Sequence, residues 1–125
     1  MIAIPVNEAK GFQATICEHF GHAPYFALVQ VSEGKIGEVT NLANPFSQHG
    51  PGEIPEFLQR NGVDVIIARG MGQRAQQYFQ RMGIQFVVGA AGTVESLVKD
   101  YLQNQLQSRE YTPPDRESFH RSHES

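Results

Sequence analysis

The chain contains a single cysteine, no surplus of basic residues and no long hydrophobic run. One cysteine among 125 residues excludes an internal disulfide and indicates a reducing compartment. A net charge of −3 argues against binding that depends on neutralising nucleic-acid phosphates. No segment approaches the roughly 18 consecutive apolar residues of a membrane-spanning helix, and the first residues lack the pattern of a signal peptide. We therefore expect a soluble, cytoplasmic protein without a nucleic-acid or membrane partner.

The composition divides the chain near residue 107. Before that point apolar runs alternate with turn signals, and the apolar content of 40% suits a single globular domain. After it, the sequence is polar and is interrupted by Pro113-Pro114. The sequence predicts a folded domain over residues 1–106 and a mobile polar tail over residues 107–125, which carries His120 and His123.

The apolar pattern predicts five strands and three helices in the order β-β-β-α-β-α-β-α. The predicted strands are 2–6, 25–31, 35–41, 63–68 and 85–88, and the helices precede residues 62, 83 and 103. A short repeat at a 21-residue offset aligns Arg60-Asn61-Gly62-Val63 with Arg81-Met82-Gly83-Ile84. Each copy is typical of a helix end, a glycine cap and a buried strand, which together form the joint of a βαβ unit.

This order of elements predicts which loops lie together. Strands joined through a helix run parallel, so only the second strand is expected to be reversed in a mixed five-stranded α/β sheet. The other four strands then end at one edge, where open α/β sheets bind ligands. The segments leaving that edge are the long polar loop 7–23 and the shorter connections 44–52, 70–73 and 89–93.

Two of these segments contain metal-ligand residue types. The first holds Cys17, His19 and His22, a thiol and two imidazoles that suit a soft or borderline metal, and the second adds His49 as a possible fourth ligand. The alternative for the first loop is a buried thiol with two surface histidines. The alternative for His49 is simple exposure to solvent.

The third segment has the composition of an anion-binding turn between a strand and a helix. Gly70 and Gly72, on either side of Met71, let the backbone approach a ligand closely, and Arg69 and Arg74 would reinforce the positive helix N-terminus. The alternative is that the glycines only form a tight turn. The fourth segment lacks charge and reads as a connection of small residues.

Five stretches together resemble the dinitrogenase iron–molybdenum cofactor-binding family, which includes NifX-like proteins and the carboxyl-terminal domain of NifB. They are the Ile-Ala-Ile-Pro-Val start, the run from His19-Phe20-Gly21-His22 to Phe26, and the residues at 62–67, 70–72 and 93–95. The resemblance covers about residues 1–106. It implies a ribonuclease-H-like three-layer fold with helices on both faces of the sheet.

The resemblance also implies a function without catalytic turnover. Family members carry a metal–sulfur cofactor or its precursor, so the expected cargo is an iron–molybdenum cofactor or another iron–sulfur cluster, exchanged with a donor or acceptor protein. His19 matches the family's His-Phe-Gly histidine and is the implied ligand.

Two other functions stay open from the sequence. A metal-dependent nuclease of the same fold needs several converging carboxylates, whereas the predicted strands supply only Glu38 and Asp64. An interaction or regulatory domain without a cofactor would instead use the open edge strand at residues 35–41 to pair with a partner.

Overall fold

The computed structural model describes residues 1–45 and 53–104, which form one mixed sheet flanked by helices. The strands are β1 (Ile2–Val6), β2 (Tyr25–Ser32), β3 (Lys35–Ala43), β4 (Val65–Ile67) and β5 (Gln85–Val87), and the helices are α1 (Glu53–Arg60), α2 (Gln73–Met82) and α3 (Val94–Leu102). His49 and the predicted tail lie outside the described residues. None of the helices in the described ranges is long and apolar enough to span a membrane.

The sheet has the predicted topology. Its strand order is β3-β2-β1-β4-β5. β2 is antiparallel to both β1 and β3, whereas β1 is parallel to β4 and β4 is parallel to β5. Among the strands of the described ranges, β2 is therefore the only reversed one. β1, β3, β4 and β5 all end at the same edge, which we call the carboxyl edge.

Alternation along the strands divides the core between the two faces of the sheet. On β1, Ala3 faces one cluster of buried residues, while Ile2 and Ile4 face the other. The first cluster is covered by α1 and α2 through side chains such as Leu58 and Phe79, and the second is covered by α3. Full burial of side chains of this size stabilises the fold by about 1.5–3 kcal/mol each, so helices on both faces follow from strands that are apolar on both faces.

The two predicted βαβ joints are present and have the same hydrogen bonds. Gly62, two residues after α1, and Gly83, directly after α2, adopt left-handed φ angles of 81° and 75°. The amide of Val63 donates to the carbonyl of Leu58, and the amide of Ile84 donates to that of Phe79. These bonds satisfy carbonyls at the helix end and turn the chain into the next strand.

The strand bounds differ from the prediction at several ends. β4 is limited to Val65–Ile67, because the amide of Val63 closes the α1 cap and the amide of Asp64 donates to the carbonyl of Met1. β2 and β3 are longer than predicted and reach Ser32 and Ala43. Together they form a long hairpin that contains a bulge between Val29 and Val31.

Candidate functional site

The first and third predicted segments meet at the carboxyl edge. His19 forms an isolated parallel bridge with Gly70, and the backbone amide of Phe20 donates to the Gly70 carbonyl at 2.9 Å. The loop after β1 therefore lies directly against the turn between β4 and α2. The predicted convergence of the two segments is confirmed.

The same loop also contacts the connection between β5 and α3. The amide of Ile16 donates to the Gly92 carbonyl at 3.0 Å, and the amide of Val94 donates to the Ala14 carbonyl at 3.0 Å. The second predicted segment begins beside the end of the loop, because the Asn44 side chain donates to the Ala23 carbonyl at 2.9 Å. The candidate histidine of that segment, His49, lies beyond the described residues.

The loop after β1 is not simply polar, as the sequence had suggested. Buried residues alternate with exposed ones along it, and its buried members are Ala14, Ile16, Cys17, Phe20 and Ala23. Pro5 helps to create the docking position. The β1–β4 ladder reaches only Ala3, and beyond it the Pro5 carbonyl accepts a 2.7 Å hydrogen bond from the amide of Cys17. The loop thus extends the sheet where β4 is no longer paired with β1.

His19 and His22 are presented together on the outside of this loop. Both side chains are exposed, and a single 3₁₀ turn at Phe20–His22 separates them by three positions. In such a turn, residues three apart lie above one another. Their ring centroids are 6.1 Å apart in an edge-on arrangement. The predicted pair of imidazoles is therefore adjacent and accessible.

Cys17 lies on the inward side of the same loop. Its side chain is 7% exposed and belongs to the core cluster under α1 and α2, together with Phe20 and Ala23. Its thiol donates a 3.6 Å hydrogen bond to the His19 carbonyl. These burial states match the alternative of a buried thiol with two surface histidines. The ligand role of Cys17 stays a prediction.

The turn between β4 and α2 has an unusual charge for a helix start. Gly72 is the N-cap of α2 and, as a glycine, has no side chain with which to cap the helix. α2 has no acidic residue in its first turn, whereas α1 and α3 each have at least one. Arg74, which is exposed, instead adds positive charge to the positive end of the helix dipole. Arg69 and Met71, which precede the helix in the turn, are half-buried.

Among residues 1–45 and 53–104, no three side chains of the His, Cys, Asp and Glu types are grouped so that they could hold a metal ion. The donors available at this edge are two exposed imidazoles beside a cationic turn. This donor set is too small for a closed four-ligand site.

Three residues that support the site were not predicted. The Gln76 side chain donates to the Met71 carbonyl at 3.0 Å and fixes the turn before α2. The Asn41 side chain accepts from the amide of Gly11 at 3.0 Å and holds the start of the loop to β3. Phe20 anchors the loop in the core. The spacing of Cys17, Phe20 and Ala23 by three residues is the signal that could have identified the inward side.

Comparisons with known proteins agree with this fold. Residues 1–104 match the family model described as dinitrogenase iron-molybdenum cofactor. The chain is 26% identical over 112 residues to an uncharacterized protein of Methanocaldococcus jannaschii, a match that covers 87% of this chain and 91% of that protein. The crystal structure of PH0822 is similar with a TM-score of 0.78 and 30% identity, covering 86% of this chain and 95% of that one.

The apo form of the orange protein from Desulfovibrio gigas has the same fold. Its TM-score is 0.71 at 22% identity, and the match covers 88% of this chain and 92% of that one. The family match includes every strand and helix of the described structure. The chain therefore belongs to the dinitrogenase iron–molybdenum cofactor family, which is associated with the binding of metal clusters.

Proposed function

We propose that the chain binds and carries an anionic iron–sulfur or iron–molybdenum type cluster at the carboxyl edge of its sheet, without chemical turnover. The observation that carries this proposal is the contact between the two candidate halves of the site. The backbone of His19 is bridged to that of Gly70, which supports a site where the loop that carries the exposed imidazoles lies against the turn before α2. A metal ligand and a counter-charge are thereby available to the same cargo.

The imidazoles of His19 and His22 are the proposed ligands. Imidazole is a borderline donor that suits iron, and both side chains are exposed on one turn. Two protein ligands leave most coordination positions of the metals to sulfide or other groups that arrive with the cluster. The site therefore favours a preformed cluster over a bare ion.

The turn Gly70–Gly72 with Arg69 and Arg74 is the proposed counter-charge. An anion at a helix N-terminus gains typically about 0.3–1 kcal/mol when exposed, and more when it is partly buried. The first turn of α2 carries Arg74 and no acidic residue, so an anionic cargo would relieve an unfavourable charge of the empty protein. Met71 adds a thioether to the same turn.

Cys17 and His49 are not needed for this proposal. The Cys17 thiol faces the core on the opposite side of the loop from the imidazoles, so it reaches the cargo only if the loop moves. His49 remains a predicted additional ligand. A donor or acceptor protein is the proposed partner, because a carried cluster must arrive and leave.

Two other functions are weaker. A nuclease requires converging carboxylates. Asp64 instead lies immediately before β4, at the end opposite the carboxyl edge, where it pairs with the Met1 ammonium at 3.0 Å. Glu38 is on the edge strand β3. The exposed edge of β3 does favour an interaction domain as a second candidate. Such a domain would bind its partner protein equally well whether or not a metal cluster had been supplied.

Anaerobic reconstitution with iron, sulfide and molybdate tests the proposal. We expect the purified full chain to retain a coloured species after desalting, with charge-transfer absorption in the visible range. His19→Ala should alter that spectrum because a ligand is lost. Arg69→Ala should weaken binding and its salt dependence while leaving the spectrum largely unchanged. Failure of the unmodified chain to retain any cluster under these conditions would count against cargo binding and favour the interaction domain.

A further inference from the structure

The two exposed histidines lie on either side of Phe20, which is the largest buried side chain of the loop. Phe20 is 4% exposed, and its ring packs between Phe26 of β2 at 5.8 Å and Phe79 of α2 at 5.6 Å, measured between ring centroids. Its amide also donates to the Gly70 carbonyl. Phe20 is therefore fixed by its side chain to two elements of the core and by its backbone to the start of the anion-binding turn.

We infer that Phe20 is a positioning residue that holds His19 and His22 as a bidentate ligand pair for the cargo metal. This inference rests on the proposed function. Because Phe20 points inward, the turn directs the residue before it and the residue two after it outward. The amide of His22 closes the turn on the His19 carbonyl at 3.2 Å.

The geometry of the pair agrees with this role. Two imidazoles that bind one ion through nitrogens at about 2.0–2.1 Å have ring centroids roughly 5–6 Å apart. The observed separation is 6.1 Å. This is slightly larger than the expected range, so the two exposed rings must turn toward each other to bind a shared metal, while the packing of Phe20 holds the backbone turn that carries them. Groups that orient metal ligands typically change metal affinity by about 10- to 100-fold when they are replaced.

The test is a Zn²⁺ titration of the full chain. The titration is monitored by NMR, which resolves the imidazole signals of His19 and His22 separately. In the unmodified chain both signals should shift with one common Kd. Phe20→Leu keeps an apolar side chain but removes the ring. It should weaken binding at this pair by about 10- to 100-fold and give the two histidines unequal Kd values.

Leu97→Ala is the matched control, because it removes buried volume from the cluster under α3, on the opposite face of the sheet. It should lower the melting temperature at least as much as Phe20→Leu while leaving the common Kd unchanged. If Phe20→Leu does not fold, Phe79→Leu removes one ring contact of Phe20 and should show the same effect in smaller degree.

Independent responses of the two histidines in the unmodified chain would overturn the inference, and so would equal losses in Phe20→Leu and Leu97→Ala. These outcomes are separate from the proposed function. A chain that binds Zn²⁺ at the pair but retains no cluster on reconstitution would contradict the cargo and leave the role of Phe20 standing. If the Phe20→Leu variant retains a cluster with the affinity and spectrum of the unmodified chain, the role of Phe20 is contradicted and the cargo binding stands.

Discussion

Reversing the charge of Arg74 should stabilise the empty protein and weaken its binding of cargo. Arg74 is exposed in the first turn of α2, where it opposes the helix dipole. Removing one unfavourable charge and adding one favourable charge should change the free energy of unfolding by about 0.6–2 kcal/mol at low salt, since each is worth about 0.3–1 kcal/mol. In a domain of this size, we expect Arg74→Glu to raise the melting temperature by roughly 3–8 °C.

The same exchange should act in the opposite direction on the cargo. If the anionic cluster lies at this helix start, the exchange replaces an attractive charge beside it by a repulsive one. With each exposed charge interaction worth about 0.3–1 kcal/mol, the affinity should fall by about 3- to 30-fold. Thermal unfolding monitored by circular dichroism gives the first quantity, and cluster retention after anaerobic reconstitution gives the second. Both effects should shrink as the salt concentration rises.

Arg81→Glu is the matched control on the same helix. It changes the net charge by the same amount, but Arg81 lies in the last turn of α2, where a positive charge is favourable, and its guanidinium stacks on Tyr78 at 4.8 Å. This variant should lower stability and leave cargo binding unchanged. Destabilisation of the empty protein by Arg74→Glu would refute the dipole reasoning, and unchanged cargo affinity would refute the position of the anion.

Three further changes probe the loop and the tail. Gly11→Ala should destabilise the protein by about 1–3 kcal/mol in chemical denaturation, because Gly11 has a φ of 56° and an added Cβ would lie 3.2 Å from Cγ1 of Val39; unaltered stability would mean that the loop start is not fixed to β3. Cys17→Ala should lower stability by about 1 kcal/mol and leave the spectrum of the reconstituted cluster unchanged, whereas a changed spectrum would identify the thiol as a ligand. Deletion from Ser108 onward should shift the melting temperature by no more than a few degrees, a scale set by about 1 kcal/mol; a collapse in stability would show that the tail packs into the domain.

The sheet could be predicted because its topology follows from local signals. Two helices, each ended by a glycine and followed by an apolar run, require parallel strands, and Gly62 and Gly83 have the expected left-handed conformation. The contact between His19 and Gly70 then follows from strand direction. The exact start of β4 could not be predicted, because it depends on two hydrogen bonds. The amide of Asp64 donates to Met1, which is distant in sequence, and the amide of Val63 donates to Leu58 as part of the helix cap.

The two sides of the loop after β1 were harder to predict. Cys17 and His19 are close in the sequence and chemically suited to one metal, but the buried positions Cys17, Phe20 and Ala23 repeat every three residues and turn the thiol inward. The 3₁₀ turn itself covers just Phe20–His22, and a spacing of three over so short a stretch is missed by a search for helical or strand periodicity. Residue chemistry identified the candidates, whereas packing decided which of them reach solvent.

The chain contains its own control for the ligand assignment, because the sequence has a second His-x-x-His pair at His120 and His123. The decisive measurement is the amount and the visible spectrum of cluster retained by two full-length double variants, His19→Ala with His22→Ala and His120→Ala with His123→Ala. Both lose the same number of imidazoles. We predict that the first variant loses the cluster or its spectrum and that the second binds as the unmodified chain does. Unaltered affinity and spectrum in the first variant would contradict cargo binding by the loop after β1.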